Sequence, residues 1–286
     1  MSTPSIVLQA PALSLSLMEQ AAALANANQL ILEGAHCGLL VDIDTTLVDD
    51  VRTWATQQRV DFAYFPHGLT NWQDIRILAM DMDSTLINIE CIDEIAAMAG
   101  RKEQVAAITE AAMRGEIKDF SESLHRRVAM LEGVPASALE QVYLEKLAPN
   151  PGAELLLRKA HEAGIKTLLV SGGFTFFTER LQKRLGLYET HANTLEIDAR
   201  GYLTGRVLGN IVDAQAKADY LADLATREKA DATQCIAMGD GSNDLLMMEK
   251  AFYSVAYRAK PIVQQKARFS INYSGLNAVL NWFEGV

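Results

Sequence analysis

The chain reads as an α/β protein in which a Rossmann-like parallel sheet, with helices on both faces and a helical cap, follows a smaller α+β unit. Three observations predict this. Residues 4–64 run in the order βαββαβ. From Ile75 onward, short apolar strands alternate with longer amphipathic segments. The helical stretch from about Ile92 to Leu147 is too large for a simple crossover between strands.

The first unit contains the strand SIVLQA, a helix from Leu15 to about Asn26, the strands QLILEGA and GLLVDID, a helix from about Leu47 to Gln58, and the strand VDFAYFP. That order predicts an antiparallel sheet with two helices on one face, a ferredoxin-like arrangement of the kind used by amino-acid-sensing ACT domains. Helix breakers and polar residues gather in Pro66-His67-Gly68-Leu69-Thr70-Asn71, which places a linker there and divides the chain into residues 1–70 and 71–286. Charge separates the parts as well: residues 1–74 hold eight acidic and two basic residues, leaving 28 and 24 for the remainder. The second unit supplies RILAMD, KTLLVSGG and TQCIAMGDG, each followed by helical sequence, as expected of a parallel sheet covered on both faces. The long helical stretch becomes a cap over about residues 90–148. No internal repeat or low-complexity segment interrupts the pattern.

At 286 residues and 49% hydrophobic, the chain can bury one well-covered core and a smaller second one. Its formal charge of −10 works against attraction to nucleic acid or to an anionic bilayer. It does not exclude a small phosphorylated ligand, because a metal ion and a few aimed donors set the local field. Cys37, Cys91 and Cys235 are far apart and have no C-x-x-C spacing, so neither a disulfide framework nor a zinc site is expected, and a reducing cytoplasm fits best. The first twenty residues, MSTPSIVLQAPALSLSLMEQ, put no Lys or Arg ahead of their apolar residues. No apolar run approaches the roughly 18–20 residues of a membrane span. A soluble, unexported protein is the expectation.

In open α/β sheets, ligands bind beyond the carboxyl ends of the strands. Three strands here end in chemistry-bearing residues. After ILAM come Asp81 and Asp83, two carboxylates whose burial is costly without a cation. An oxygen-rich site suits Mg²⁺, and neighbouring carboxylates push each other's pKa values apart, so Asp81 can attack phosphorus while Asp83 protonates the leaving alkoxide. The plainer reading of this pair is a polar strand end with a helix cap at Ser84 or Thr85. After TLLV, Ser171-Gly172-Gly173 forms a compact cradle for an oxyanion or, more plainly, a turn. After CIAM, Gly239-Asp240-Gly241-Ser242-Asn243-Asp244 offers a metal ligand in Asp240 and a phosphate donor in Asn243. Lys217, the only basic residue between Arg206 and Arg227, heads a helix and can neutralise phosphate oxygens, with Asp244 orienting it or the metal's waters.

In this order, DxDST, Ser, Lys and GDGxND, the four elements resemble the haloacid dehalogenase superfamily. Over about residues 75–286 the segments DMDSTLINIECIDEIA, FSESLHRRVAML, VSGGF and GDGSNDLLMM resemble its phosphoserine phosphatase family. The resemblance implies Mg²⁺-dependent hydrolysis of O-phospho-L-serine to L-serine and phosphate, the last step of serine biosynthesis, through an aspartyl-phosphate on Asp81. Asp83 is then general acid and afterwards general base, and Ser171, Gly172, Lys217 and Asn243 hold the phosphate. Mg²⁺ binds Asp81, the Asp83 carbonyl and Asp240, with Thr85 and Asp244 in support. In the cap, Glu90 takes the substrate ammonium and Arg127 its carboxylate; Met113 and Phe120 shield the site, and Gly173 borders the substrate. A guanidinium fork and a carboxylate together read a zwitterion.

Alternatives accompany these expectations. Arg126 rivals Arg127, and only spacing to Phe120 decides between them. Another small phosphomonoester, such as phosphohomoserine or a sugar phosphate, would use the same core, and a non-catalytic amino-acid-binding module would keep the fold. A second pair, Asp42 and Asp44, follows the strand GLLV, but Val51 stands where Glu90 follows Asp81, so these acids are expected to cap a helix N-terminus. The N-terminal unit is expected to mediate a homodimer or bind an amino acid, or else to serve only folding or solubility.

Overall fold

The computed structural model describes residues 3–113, 117 and 119–286. The N-terminal unit comprises β1 (Ser5–Gln9), α1 (Leu15–Leu24), β2 (Gln29–Glu33), β3 (Cys37–Val41), α2 (Val48–Gln58) and β4 (Asp61–Phe65). Its four strands are antiparallel in the order β2-β3-β1-β4, the ferredoxin-like arrangement that the element order predicts. Side chains alternate across the strands. Ile6, Leu8 and Leu40 therefore meet Met18 and Ala21 of α1 and Val51 and Ala55 of α2. Gly38 leaves room for the Met18 side chain, which a Cβ would strike. The Asp42 and Asp44 pair sits at the junction into α2. Only Asp44 caps, accepting from Thr46 N at 2.9 Å; Asp42 instead accepts from the Asn28 side chain, with its own backbone at φ 58°.

The chain continues through β5 (Thr70–Asn71), β6 (Ile77–Met80), a single π-turn at Met82–Leu86, α3 (Cys91–Met98), α4 (Lys102–Met113), α5 (Phe120–Ala129), α6 (Ser137–Glu145), α7 (Ala153–Glu162), β7 (Lys166–Phe174), α8 (Thr175–Leu185), β8 (Glu189–Ile197), β9 (Leu203–Leu208), α9 (Ala214–Glu228), β10 (Cys235–Gly239), α10 (Leu245–Met248), β11 (Tyr253–Tyr257), α11 (Pro261–Lys266), β12 (Phe269–Ile271) and β13 (Phe283–Glu284). The large sheet has the order β12-β11-β10-β6-β7-β8-β9. It is parallel except where β9 returns beside β8. Ile77, Ala79, Leu168 and Ala237 face Leu221 and Leu224 of α9, whereas Leu78, Met80, Leu169 and Met238 face α7 and α8 through Leu157 and Phe177. Both faces are dry, which is why these strands read as unbroken apolar runs.

Helices α3–α6 form the cap. Its two connections to the sheet run side by side: Ile87 bridges Pro149, Asn88 N donates to Ala148 O at 3.0 Å, and Ala148 N donates to Asn88 Oδ1 at 2.8 Å.

The segment read as a linker is anchored at its end, where Thr70–Asn71 pairs with Phe283–Glu284. The second face of the N-terminal sheet is also covered. Val7, Cys37, Ala63 and Phe65 belong to the same buried cluster as Phe269 and Trp282, and Phe65 stacks on Phe269 with ring centroids 5.3 Å apart. Polar contacts close this junction. The buried Asp61 carboxylate accepts from the backbone of Asn272 (2.6 Å), Tyr273 (3.2 Å) and Ser274 (2.8 Å), and Gln9 Nε2 donates to Ala278 O at 2.7 Å. Asp61→Ala would leave these amides without their acceptor. It should lower unfolding free energy by about 2–4 kcal/mol in a denaturant titration of the whole chain; an unchanged midpoint would show the junction to be energetically idle.

Candidate active site

Strand β6 lies between β10 and β7 at the centre of the sheet, and all its residues are buried. At its end the Asp81 amide still donates to Met238 O (3.0 Å), so the sheet itself sets that residue's position. The chain then turns back through the π-turn, where Leu86 N and Ile87 N return to Asp81 O and Met82 O. Ser84 breaks the turn at φ 57°, a left-handed conformation that a serine occupies at some cost. This reversal brings the carboxylates of Asp81 and Asp83 into one cleft of about 560 Å³ between sheet and cap.

Each carboxylate has distinct partners. Asp83 Oδ1 accepts from Cys91 N at 2.8 Å, and Oδ2 lies 3.4 Å from the Ser171 hydroxyl. A Cβ on Gly173 would sit 2.6 Å from Asp83 Oδ2, so a glycine is needed there. Enclosure and then the neighbouring Glu90 push the Asp83 carboxyl up to about 7, against the pull of the Cys91 amide. Asp81 is held well above the ordinary carboxylate range, chiefly by burial; Lys217 opposes the rise, while Asp244, Asp240 and Asp83 add to it. Asp240 is raised to about 7, first by burial and then by Asp244 and Glu90, with Lys260 and the Thr85 hydroxyl (3.3 Å) acting the other way.

Lys217 is fully buried on the first turn of α9, whose N-terminus is capped by Asp213 through Ala216 N at 2.9 Å. Its Nζ donates to Asp81 Oδ1 and to Asp244 Oδ1, the latter at 2.7 Å. Burial works against the ammonium, but Asp244 and then Asp81 overcome it and keep the lysine charged. Asp244 Oδ2 also accepts from Gly241 N at 3.0 Å, which ties the lysine to the loop after β10. One carboxylate oxygen from each of Asp81, Asp240 and Asp244 lies within 4.8 Å of the others, giving a buried acidic cluster.

The cap supplies the opposite wall. Glu90 accepts from the Ser84 hydroxyl at 2.6 Å. Arg127 of α5 lines the cleft and donates from Nε to Ser123 O at 3.4 Å, whereas Arg126 pairs with Glu122 on an exposed face. Burial lowers the Arg127 pKa, countered first by Asp93 and then by Glu90 and Asp83. The Phe120 ring rests on Gly172, where a Cβ would approach its Cζ to 2.9 Å. Gly172, Gly173, Asp240 and Asn243 line the cleft as well, while Thr85, Ser171, Lys217 and Asp244 are buried beneath it. Met113 ends α4, but its side chain lies outside the described residues.

Several residues at the site escape the sequence reading or, like Ser84, enter it only as a possible helix cap. Ser84, Asp93 and Lys260 line the cleft; Asn193 links Gly172 O (2.9 Å) to Val212 N (2.8 Å); and Asn150 donates to the turn after Asp81. Lys260 stands beyond the end of β11, a fourth strand end that could have drawn attention. The two asparagines carry no local signal, because their partners are far away in sequence.

Among the described residues, no helix is long and apolar enough to cross a membrane. The model of the haloacid dehalogenase-like hydrolase family matches residues 78–249. A phosphoserine phosphatase of Polaromonas sp. is 52% identical over 211 residues, covering 72% of this chain and 89% of that protein. Another, from Idiomarina loihiensis, is 51% identical over 204 residues, covering 71% and 91%. The solved structure of a HAD family hydrolase from Salmonella enterica serovar Typhi superposes with a TM-score of 0.88 at 32% identity, covering 100% of this chain and 99% of that one, so the N-terminal unit is shared too. The matched span contains the carboxylates after β6, Ser171, Lys217 and the loop after β10, and on these grounds the chain belongs to the haloacid dehalogenase-like hydrolase family.

Proposed function

We propose that this chain hydrolyses O-phospho-L-serine to L-serine and phosphate, the last step of serine biosynthesis. One observation carries the proposal. The cleft sets Asp81 and Asp83, with a buried ammonium behind them, opposite a cap wall holding Glu90 and the guanidinium of Arg127. That wall matches an amino acid: Glu90 for the ammonium and Arg127 for the carboxylate. The similarity to proteins named phosphoserine phosphatases supports the same substrate.

In this reading Asp81 attacks phosphorus, and the bond from phosphorus to the serine oxygen breaks. Asp83, whose raised pKa lets it carry a proton near neutrality, protonates the departing oxygen. Asp83 then accepts a proton from the water that attacks the aspartyl-phosphate, freeing phosphate and Asp81. Lys217, Ser171, the Gly172 amide and Asn243 hold the phosphoryl oxygens, while Phe120 closes the cleft from the cap side.

The donor set suits a divalent cation. Asp81, Asp240 and Asp244 bring their carboxylates together around a single buried ammonium, and all the ligands on offer are oxygens. Asp244 is already engaged by Lys217 and Gly241 N, so Asp81, Asp240 and the Asp83 carbonyl are the residues that would hold Mg²⁺. When bound, it would supply positive charge to the phosphoryl oxygens. The boundary between the N-terminal and catalytic units is placed at residue 70, with the cap over about residues 90–148.

Phosphate release from L-phosphoserine should require Mg²⁺ and stop when EDTA is added. Cleavage of phosphohomoserine but not phosphoserine would overturn the roles of Glu90 and Arg127 while leaving the catalytic carboxylates in place. Release that persists in EDTA would overturn the metal requirement.

A further inference from the structure

Asn150 has a bonding pattern that its sequence position does not announce. Its side-chain amide donates to Ser84 O (3.3 Å), Thr85 O (2.8 Å) and Ile87 O (2.9 Å), and its backbone N donates to Leu86 O at 2.9 Å. One buried residue thus receives the carbonyls of four successive residues, the stretch that immediately follows Asp83. An amide NH₂ has two hydrogens, so three acceptors require one of them to be shared. Pro149 and Pro151 flank Asn150, limiting its backbone freedom and making it a stiff arm.

The location adds to the argument. Asn150 lies where the cap rejoins the sheet, beside the Ile87–Pro149 bridge. The turn it holds contains Ser84 at φ 57°, and that conformation aims the serine hydroxyl at Glu90 and fixes the chain just after Asp83. Buried carbonyls deprived of donors would favour rearrangement of this turn. Such a change would move the proposed proton donor and the proposed ammonium-binding carboxylate together.

We infer that Asn150 is a positioning residue for the reaction: its amide clamps the Ser84–Ile87 carbonyls and so holds Asp83 and Glu90 in working geometry. The inference rests on the roles proposed above for those two acids. Its test compares kcat/KM for L-phosphoserine and for p-nitrophenyl phosphate. The second ester has no ammonium, and its leaving group is too weak a base to need a proton. Asn150→Leu removes the donors at similar size. In the whole 286-residue chain with Mg²⁺, kcat/KM for phosphoserine should fall by about thirtyfold or more, part of the roughly 10²–10⁴-fold that general acid catalysis supplies, while that for p-nitrophenyl phosphate stays within about threefold.

Equal losses on the two esters, or no loss on either, would overturn the inference, since a merely structural role lowers both alike. If Asn150→Leu does not fold, as judged by circular dichroism and the thermal midpoint, Asn150→Ser is read by the same ratio. Asp83→Asn is the reference. A selective loss there with none at Asn150 overturns the inference about Asn150 alone. An equal loss there overturns the role of Asp83, and the inference with it.

Discussion

Asp81→Asn should abolish phosphate release, by at least about 10⁴-fold, as expected when the nucleophile of a covalent mechanism is removed. The amide has nearly the carboxylate's shape but cannot attack phosphorus. The same substitution should not lower the thermal midpoint of the metal-free protein. Asp81 is only 5% exposed, and it shares the cluster with Asp240 and Asp244 around one ammonium. Burial and the three neighbouring carboxylates disfavour its charge more than Lys217 favours it, so its folded-state pKa lies above the unfolded value. A raised carboxyl stabilises the fold fully below its unfolded pKa and loses that contribution as pH rises through the folded one. At neutral pH, where the unfolded carboxyl is ionised, burying Asp81 therefore disfavours the folded state, and asparagine relieves that cost. Phosphate release and thermal unfolding, measured on one preparation, check both halves. Residual turnover near the parent level would exclude Asp81 as nucleophile, and a lower midpoint would mean that the Lys217 contact outweighs the repulsion.

The second large effect is on stability and activity together. Lys217→Met leaves Asp81 and Asp244 buried without their ammonium, and removing one partner of a buried ion pair typically costs about 3–5 kcal/mol. For a chain of this size the midpoint at neutral pH should fall by on the order of 10 °C. The gap between variant and parent should narrow as pH falls through the raised Asp81 pKa, because a protonated Asp81 no longer needs the cation. Phosphate release should drop by about 10³-fold, with loss of a preorganised positive charge at the phosphoryl oxygens. A variant as stable as the parent at neutral pH would show that the buried ion pairs of Lys217 contribute nothing net there.

The residues after β6, β7 and β10 were legible because each stands directly beyond an apolar run, where strand periodicity and polar chemistry meet in consecutive letters. The decoy at Asp42 and Asp44 has the same local form, and its lack of an acid at the Glu90 spacing sets it aside. In the fold, Asp44 is bonded to Thr46 and Asp42 to Asn28, within the N-terminal unit. Strand β9 was not legible, because period-two alternation identifies a strand without naming its partner or its direction. The same holds for the pairing of Thr70–Asn71 with Phe283–Glu284.

By itself, then, the amino-acid order determined the mixed α/β class, the parallel strands that carry the site and the inventory of acids, hydroxyl and lysine, since burial periodicity and strand-end chemistry are local properties of the chain. Only the tertiary structure decided which groups face one another. It set Lys217 between Asp81 and Asp244, aimed Arg127 rather than Arg126 into the cleft, and brought Asn150 to the turn after Asp83. It also joined Asp61 to the backbone of residues 272–274. Those contacts span up to hundreds of residues, and a hydrogen bond or a Coulomb interaction depends on distance in space, which no spacing along the chain encodes.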